Sequence, residues 1–483
     1  MNRNQILITI GAVAAALALG IVLTLALTGG DSTDEIATNG TRPTLPATTV
    51  APVTSPPTTV APTTAPTKPP TTPPTVIVIP PVTEAPTVPP TVVPTAPPTA
   101  PPTVPPTTTA PHTDPGISDT EIRLAVIADS PDSVAGVQAW ATSANKKGVG
   151  GRKIVLDPFV VNGNPSAYAD AVNTACAQDF AIVGSLSTGD GSLGHLIDCA
   201  IPNLPARALS SASRSAPNTF AVVPTSATQQ QVGGFRWLKS SQPGCCKQYV
   251  IWSTNAELAN VTQESAQAAV DSAGFTSAGG TALADNADQA AYAPSVDKMK
   301  TDGATFGRSD LPYASTISFR TQADAAQLDD VTWFCLAQCY QPGFLAQGGA
   351  TVNGTFVQIG ITPFEDAGSV PAVKKYLGAG GPHNQLGVES ASAGVLFQTA
   401  VNRVYGPDKD KAAVTRSAVL HEVAGIHAFN AGGLLGTTNV GGRVPNGCFV
   451  MMHVDGGRFA RAEPTQAGQL DCDPANLTGK LGP

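Results

Sequence analysis

A tract rich in proline and threonine constrains this chain more than any other feature of its sequence. Of the 44 prolines among 483 residues, 25 lie between Pro43 and Pro115, and the stretch from Thr41 to Thr113 has no aromatic residue and no cysteine. Proline fixes φ and removes a backbone donor, so such a backbone prefers polyproline II and builds no core. We expect residues 31–115 to be a disordered, semi-rigid stalk with a reach on the order of 100–200 Å. A passive linker of no required length is the alternative.

An apolar run precedes the stalk. Ile6 to Leu27 is a 22-residue stretch without a charge, and a helix needs about 20 such residues to cross a bilayer. Arg3 lies before the run and acidic residues follow it, which points the N-terminus into the cytoplasm. We expect residues 1–30 to be a single-pass transmembrane anchor, with a cleaved signal sequence as the alternative. In either case the body lies outside the cytoplasm, at the cell membrane or cell surface.

Composition and motifs exclude several classes of protein. The net charge is −8, only 13% of the residues are charged and no basic block occurs, so we expect no nucleic-acid partner. His421 and His427 are six residues apart, whereas the helical zinc motif places its histidines at i and i+4. A P-loop, a dinucleotide-binding glycine motif and a nucleophile elbow are also missing. We therefore expect no enzyme activity, no cofactor and no metal.

The body from Gly116 onward alternates between apolar strands and helical periodicity. Strands are predicted at 122–129, 153–161, 181–184 and 201–204, with helices at 134–144 and 168–176 and a third helix that follows Ser187-Thr188-Gly189 and extends through Cys199. A second run predicts strands at 249–252, 331–336 and 355–361, with helices at 231–239 and 257–273. Continuous apolar strands joined by helices predict parallel sheets covered on both faces. Two such runs predict an α/β protein with two lobes.

Hydroxyl and polar side chains recur where these strands end. In open α/β sheets ligands bind outside the carboxyl ends of the strands, and helix N-termini with Ser or Thr favour an anionic group. The candidate ligand-binding residues at these ends are Asp129, Ser130, Ser187, Thr188, Ser210, Ser211, Asn255, Tyr340 and Gln341. For any single Ser or Thr, an ordinary helix N-cap is the alternative. The repetition at consecutive strand ends favours binding for the set.

Several segments of the body also resemble one family. The stretches from Thr120 to Ala128, from Asn145 to Ile154 and from Phe180 to Ser185 resemble the type I periplasmic binding proteins, and later motifs at Pro363 and Ala428 fall in the family's order. The group resembled is the Leu/Ile/Val-binding branch, the substrate-binding subunits of branched-chain amino acid ABC importers. The likeness covers roughly residues 116–471, and the order and spacing of the motifs carry it.

The resemblance implies two lobes joined by three crossings that close on a small ligand. Lobe I would comprise residues 116–226 and 361–435, and lobe II residues 227–360 and 436–475. Hydroxyl and backbone groups of the first lobe would hold a ligand carboxylate, at Ser187, Thr188, Ser210 and Ser211. The second lobe would cover the ligand with Asn255, Tyr340 and Gln341.

One departure from the family concerns the first loop. Asp129 to Ser133 is short, lacks the family's aromatic residue and carries Asp129 and Asp132 instead. An amide, another amino acid or a cationic ligand are therefore alternatives to a branched-chain amino acid. We expect a membrane-tethered solute-binding protein that serves an ABC permease. A ligand sensor or surface receptor of the same fold is the first alternative, and a cell-surface hydrolase or a structural protein with a vestigial cleft follows.

Eight cysteines in an exported chain predict disulfides. Cys176 and Cys199 lie near the ends of consecutive predicted helices and form the first pair. Cys448 and Cys472 flank the last predicted strand and its return and form the second, and Cys335 with Cys339 is the third. Cys245 and Cys246 would be left as a vicinal pair, and some free thiols are the alternative.

Overall fold

The computed structural model of the protein describes residues 114–254 and 256–478. The predicted anchor at residues 1–30, the stalk up to residue 113 and Asn255 lie outside these ranges. Within the ranges, no helix has both the length and the apolar character needed to cross a membrane.

The first segment of the body folds as the alternation of strands and helices predicts. Its elements are β1 (Glu121–Ala128), α1 (Pro131–Ala144), β2 (Lys153–Val160), α2 (Pro165–Gln178), β3 (Ala181–Val183), β4 (Asn203–Leu204) and the short helix α3 (Ser211–Ser215). Both long helices begin with a polar N-cap followed by proline, because proline suits the first helical turn, where no backbone donor is needed.

The prediction of a helix that follows Gly189 and extends through Cys199 is wrong. Residues 188–191 and 194–200 form turns. Gly189, Gly191 and Gly194 weaken helix formation, and Gly194 adopts a positive φ of 52°. The Asp190 carboxylate accepts hydrogen bonds from the backbone of Leu209 and Ser210, at 2.7 and 2.9 Å, which binds the turn to the start of α3.

The second segment begins with α4 (Gly233–Ser241) and continues the alternation. Its further elements are β5 (Lys247–Ser253), α5 (Ala256–Ala273), β6 (Thr276–Leu283), α6 (Ala293–Thr301), β7 (Phe306–Ser309), α7 (Tyr313–Ala325), β8 (Thr332–Cys335), α8 (Pro342–Gly348) and β9 (Phe356–Ile359). The third segment consists of α9 (Pro371–Gly378), α10 (Gln385–Tyr405), α11 (Arg416–Ala424), β10 (Val450–Asp455) and β11 (Arg458–Glu463).

These strands form two sheets, which confirms the predicted two-lobed α/β fold. Lobe I holds a parallel sheet of four strands in the order β2-β1-β3-β4, with α10 and α11 returning to it. Lobe II holds a sheet of seven strands in the order β11-β10-β9-β8-β7-β5-β6, in which β10 is antiparallel to both of its neighbours and the other pairs are parallel. Buried Phe and Tyr side chains dominate the core of lobe II, including Phe235, Phe306 and Phe334.

The chain passes between the lobes in three segments. We call residues 223–231 the first crossing, 358–362 the second crossing and 435–448 the third crossing. The second and third are paired by a bridge between Ile361 and Leu435, and the first pairs with the C-terminal segment through Gln231 and Leu477. A hinge between two lobes has to run through segments of this kind.

Small residues bring α10 close to α1. A Cβ atom added at Gly136 of α1 would lie 2.1 Å from the carbonyl oxygen of Gly387, and one added at Gly394 would lie 2.2 Å from the Trp140 ring. Only glycine allows helices to approach so closely at these points. The Trp140 ring is in turn edge-on to Phe397, at 6.4 Å between ring centroids. This packing fixes α10 against lobe I. The first residue of α10, Gln385, thereby lies at the second crossing, where it bonds to Gly360.

The structure contains the three predicted disulfides. Cys176 pairs with Cys199, Cys448 with Cys472 and Cys335 with Cys339. Cys245 and Cys246 form the remaining vicinal pair, so none of the eight cysteines is a free thiol. The first two bridges close loops with sequence separations of 23 and 24 residues. Loops of that length give a disulfide about 3 kcal/mol of stabilisation on a chain-entropy model.

Candidate ligand-binding site

A cavity of about 490 Å³ lies where the three crossings meet the two lobes. Its walls include Val223 to Ala227 of the first crossing, Gln358 to Gly360 of the second, and Leu435, Thr438 and Asn446 of the third. This volume is within the range of small-molecule sites, about 300–1,000 Å³. Both lobes contribute to its lining, so movement about the crossings changes its shape.

An ion pair of lobe I forms one wall of the cavity. Arg207 lies three residues beyond β4, and Glu389 lies in the second turn of α10. The Arg207 Nε and Nη2 donate to the Glu389 carboxylate at 2.7 and 2.6 Å. The Glu389 side chain is 1% exposed, whereas that of Arg207 is 33% exposed. Two parallel hydrogen bonds between planar groups make this a strong and well-oriented pair.

The pair is connected to the second crossing. Gln385 donates from its amide nitrogen to Glu389 Oε1 at 2.6 Å, and its amide oxygen accepts from the backbone N–H of Gly360 at 2.9 Å. Burial lowers the pKa of the Arg207 guanidinium, but the charge and hydrogen bonds of Glu389 outweigh that effect and raise it above its ordinary value. Arg207 is therefore a permanent cation at the cavity wall.

A second arginine of lobe I lines the same cavity. Arg214 belongs to α3, and its Nη1 donates to the carbonyl of Leu209. Among the residues that the structure describes, no carboxylate forms an ion pair with Arg214. Its side chain is half-buried and lines the cavity.

The wall from lobe II contains a different ion pair. Arg308 of β7 contacts Asp310 at 2.9 Å from Nε and 2.7 Å from Nη2, and both side chains are fully buried. The Arg308 guanidinium also lies 4.9 Å from the centroid of the Phe235 ring. Burial raises the pKa of the Asp310 carboxyl, and attraction to Arg308 only partly offsets that.

Side-chain amides connect all three crossings at the cavity. Gln231 of the first crossing donates to the carbonyls of Gly447 and Cys448 in the third, at 3.2 and 2.9 Å. Gln358 of the second crossing donates to the amide oxygen of Gln231. The crossings are thereby linked by side-chain hydrogen bonds in addition to the backbone bridges.

The structure brings three of the predicted site residues into one cluster at the carboxyl ends of β1 and β3. The Asp129 carboxylate accepts from the Ser187 hydroxyl at 2.7 Å and from the backbone N–H and hydroxyl of Thr188 at 2.8 and 3.1 Å. It also accepts from the backbone N–H of Gly163 at 2.7 Å. Asp129 thus binds the loops of lobe I to each other, and ligand contact by this cluster stays a prediction.

The other predicted residues of lobe I cap helices. The Ser130 hydroxyl accepts from the backbone N–H of Asp132 at 3.2 Å, and that of Ser210 accepts from Ser213 at 3.0 Å. Ser211 is the exposed first residue of α3. The alternative of an ordinary N-cap therefore applies to Ser130 and Ser210. Neither lines the cavity directly, although Leu209, next to Ser210, does.

The predicted residues of lobe II have partners within the protein. Tyr340 is 1% exposed, stacks on Phe364 with 5.3 Å between ring centroids, and donates from its hydroxyl to Glu365 at 2.5 Å. Burial and the neighbouring Glu365 raise the pKa of this hydroxyl. Gln341 donates to the carbonyl of Gln338 at 2.6 Å. Neither residue lines the cavity, and Asn255 lies outside the described residues.

The cavity residues Arg207, Arg214, Gln385 and Glu389 are absent from the set predicted from sequence. The sequence does contain a pattern that indicates Arg207 and Glu389. Glu389 is the only carboxylate in a helix whose first turns otherwise contain small and apolar residues, and Arg207 follows an apolar strand. A lone charge on a buried face has to find a partner, because an unpaired buried carboxylate is very costly.

Comparison with known proteins places these features in context. The sequence model of a family described as periplasmic binding protein matches residues 125–458. No curated protein sequence matches the chain.

Solved structures with the same fold come from several organisms. A branched-chain amino acid ABC transporter protein from Thermus thermophilus with bound valine is 14% identical, with a TM-score of 0.60 over 74% of this chain and 98% of that one. A fatty acid ABC transporter substrate-binding protein from Thermomonospora curvata is 15% identical, with a TM-score of 0.60 over 75% and 95%. A leucine-binding protein from Thermotoga maritima is 16% identical, with a TM-score of 0.56 over 71% and 97%.

Proposed function

The chain belongs to the periplasmic binding protein family, and we propose that it captures a small polar organic ligand in the cavity between its lobes. That family is made up of ligand-binding proteins, and we propose binding without catalysis for this chain as well. The observation that carries the proposal is the cavity itself, which is lined by both lobes and by all three crossings. An amino acid or a related molecule fits its volume and its mixture of apolar, amide and charged groups.

The proposed mechanism is hinge closure. Ligand first contacts the wall of lobe I at Arg207, and contacts with lobe II then favour the closed arrangement of the lobes. Gln385 hydrogen-bonds both to Glu389, the partner of Arg207, and to the backbone N–H of Gly360 in the second crossing. A ligand that contacts Arg207 can therefore affect the second crossing through Glu389 and Gln385. A ligand shifts the equilibrium only by the difference between its affinities for the open and closed states.

We further propose that the protein delivers its ligand to an ABC importer from a position outside the cytoplasm. Support comes from the solved structures of the same fold, several of which are ABC transporter substrate-binding proteins. Tethering by residues 1–30 and spacing by the stalk at residues 31–115 are part of the same proposal. They rest on the apolar run at Ile6–Leu27 and on the proline content of the stalk.

A ligand screen tests the proposed function. The full-length chain is titrated calorimetrically with L-leucine, L-glutamine, L-glutamate, L-lysine, succinate and hexanoate, and its melting temperature is followed in parallel. Binding stabilises the folded state by mass action, so a ligand at 100 times its Kd raises the free energy of unfolding by about 2.7 kcal/mol. We expect at least one saturable ligand with a stoichiometry of one. No binding by any member of the panel would contradict capture of a small polar ligand.

A further inference from the structure

The charges around the cavity are unequal in sign. Among the described residues that line it are three arginines and one glutamate, with no lysine, histidine or aspartate. Asp310 balances Arg308 and Glu389 balances Arg207. Arg214 has no carboxylate partner in the described part of the chain. The cavity wall therefore carries one net positive charge on lobe I.

Arg207 is oriented for a further partner. Its Nε and Nη2 bind Glu389, whereas its Nη1 makes no hydrogen bond with a described residue, and one third of the side chain is exposed. The guanidinium cannot rotate freely, because Glu389 is buried and is held in turn by Gln385. A fixed guanidinium with a free N–H group is preorganised for a planar anion.

Asp129 and Asp132, the acidic residues that make a cationic ligand an alternative, lie outside the cavity lining. Asp129 accepts four hydrogen bonds from neighbouring loops, and Asp132 accepts one from the Asn384 amide at 2.7 Å. Neither lines the cavity. The one carboxylate at the cavity, Glu389, is already bound by Arg207 and Gln385. No second carboxylate of a described residue lines the cavity to bind a cation.

Apolar groups complete the wall. Leu209 and Val223 from the lobe I side, Leu336 from lobe II and Leu435 from the third crossing line the same cavity. A ligand that fills it therefore has a carbon skeleton in addition to its charge. An inorganic anion would leave these surfaces uncovered.

We infer that the ligand is a small organic anion whose carboxylate is bound by Arg207 and Arg214 on the lobe I side of the cavity. The inference rests on the proposed function and names the class of ligand. Two arginine side chains supply the site, in contrast to the hydroxyl groups at Ser187, Thr188, Ser210 and Ser211 that the family resemblance implies.

The test compares carboxylates with their amides. The full-length chain is titrated with three matched pairs, glutarate against glutaramide, succinate against succinamide, and hexanoate against hexanamide, with 1,5-diaminopentane as a cation that lacks a carboxylate. Each pair has nearly the same shape and differs in charge. We expect the carboxylate of at least one pair to bind at least ten-fold more tightly than its amide, and 1,5-diaminopentane to bind more weakly than glutarate.

The outcomes separate this inference from the proposed function. If ligands bind but no carboxylate binds more tightly than its amide, or if 1,5-diaminopentane binds as tightly as glutarate, the inference is overturned and the proposed function stands. If no probe of either charge binds, the proposed function is contradicted and the inference falls with it.

Two variants locate the carboxylate. Arg214→Gln removes the arginine that has no ion pair, and we expect it to abolish most of the preference for carboxylate over amide. The control is Arg403→Gln, which removes the same charge from the exposed end of α10 about 21 Å from Glu389. The control should keep the preference of the natural chain. Equal preference in Arg214→Gln and the natural chain would overturn the role of Arg214.

The second variant addresses Arg207 without leaving a buried charge. The double change Arg207→Gln and Glu389→Gln neutralises both partners and keeps two side chains that can hydrogen-bond. We expect the ratio of carboxylate to amide affinity to fall at least ten-fold while the melting temperature shows that the chain is folded. A folded double variant that retains the ratio would exclude Arg207 from the site.

Discussion

Two arginine–carboxylate pairs approach the same cavity from opposite lobes, and they differ in their access to water. Arg308 and Asp310 of lobe II are both fully buried, whereas Arg207 of lobe I is one third exposed beside a buried Glu389. A fully buried pair has lost the hydration of both ions and depends on its internal geometry. A pair with one exposed edge can still bind something else. Similar chemistry thus forms a buried ion pair in lobe II and leaves part of a guanidinium exposed at the cavity in lobe I.

The largest effect should follow when the lobe II pair is broken. Arg308→Met leaves the Asp310 carboxylate buried without its cation, and breaking such a pair costs about 3–5 kcal/mol. We expect a loss of that size in the free energy of unfolding at pH 8, measured by urea denaturation of the full-length chain. Lys298→Met, which breaks the exposed pair with Asp302, is the control and should show no measurable change.

The pH dependence of this loss has a definite sign. Burial already raises the pKa of Asp310 above its unfolded value, so its contribution to stability is full below about pH 3.9 and declines as the pH rises through the folded pKa. Removing Arg308 raises that pKa further. The loss in Arg308→Met should therefore grow from pH 4 to pH 8, and a loss that shrinks over this range would contradict the account. The double change Arg308→Met and Asp310→Leu should recover most of the stability.

A smaller effect should follow when the lobe I pair is broken. Glu389→Gln removes a carboxylate but keeps an oxygen that can accept from Gln385, and water can solvate the exposed part of Arg207. We expect a loss of about 1.5–3 kcal/mol, typical of hydrogen bonds to charged groups. Glu121→Gln, at an exposed position of β1, is the matched control and should be neutral. A loss in Glu389→Gln as large as that in Arg308→Met would erase the difference between the two pairs.

The fold was more predictable from the sequence than the cavity, for a physical reason. Strands and helices follow from local patterns, such as the apolar run at Leu124–Ala128 and the polar N-cap plus proline at Ser130–Pro131. The three predicted disulfides also came from local position relative to those elements. The cavity wall instead joins Arg207 to Glu389 across 182 residues. Their contact depends on how glycines bring α10 against α1, which no local pattern indicates.

The predicted site residues show the same limit at shorter range. A serine after a strand is expected both in a binding loop and at a helix N-terminus, and Ser130 and Ser210 have the second role in the structure. Ser187 and Thr188 donate to Asp129, a partner that is 58 residues before Ser187. The residue types predicted correctly that polar side chains lie at the strand ends. They did not show whether the hydrogen-bond partner of each side chain is a ligand or another residue of the protein.

Arg214→Gln should have the smallest effect on the free energy of unfolding. Among the single substitutions at the cavity, it should have the largest effect on ligand binding. Arg214→Gln breaks no ion pair between described residues, and its one hydrogen bond, to the carbonyl of Leu209, can be replaced by the glutamine amide or by water. Surface substitutions that break no buried network usually change stability by about 0.5 kcal/mol or less, and part of the Arg214 side chain is at the surface. We expect the urea midpoint of this variant to match that of Arg403→Gln. A loss of more than about 1.5 kcal/mol in the free energy of unfolding would mean that Arg214 stabilises lobe I as Arg308 stabilises lobe II. The Arg214 charge would then serve folding, and its proposed role in ligand binding would be contradicted.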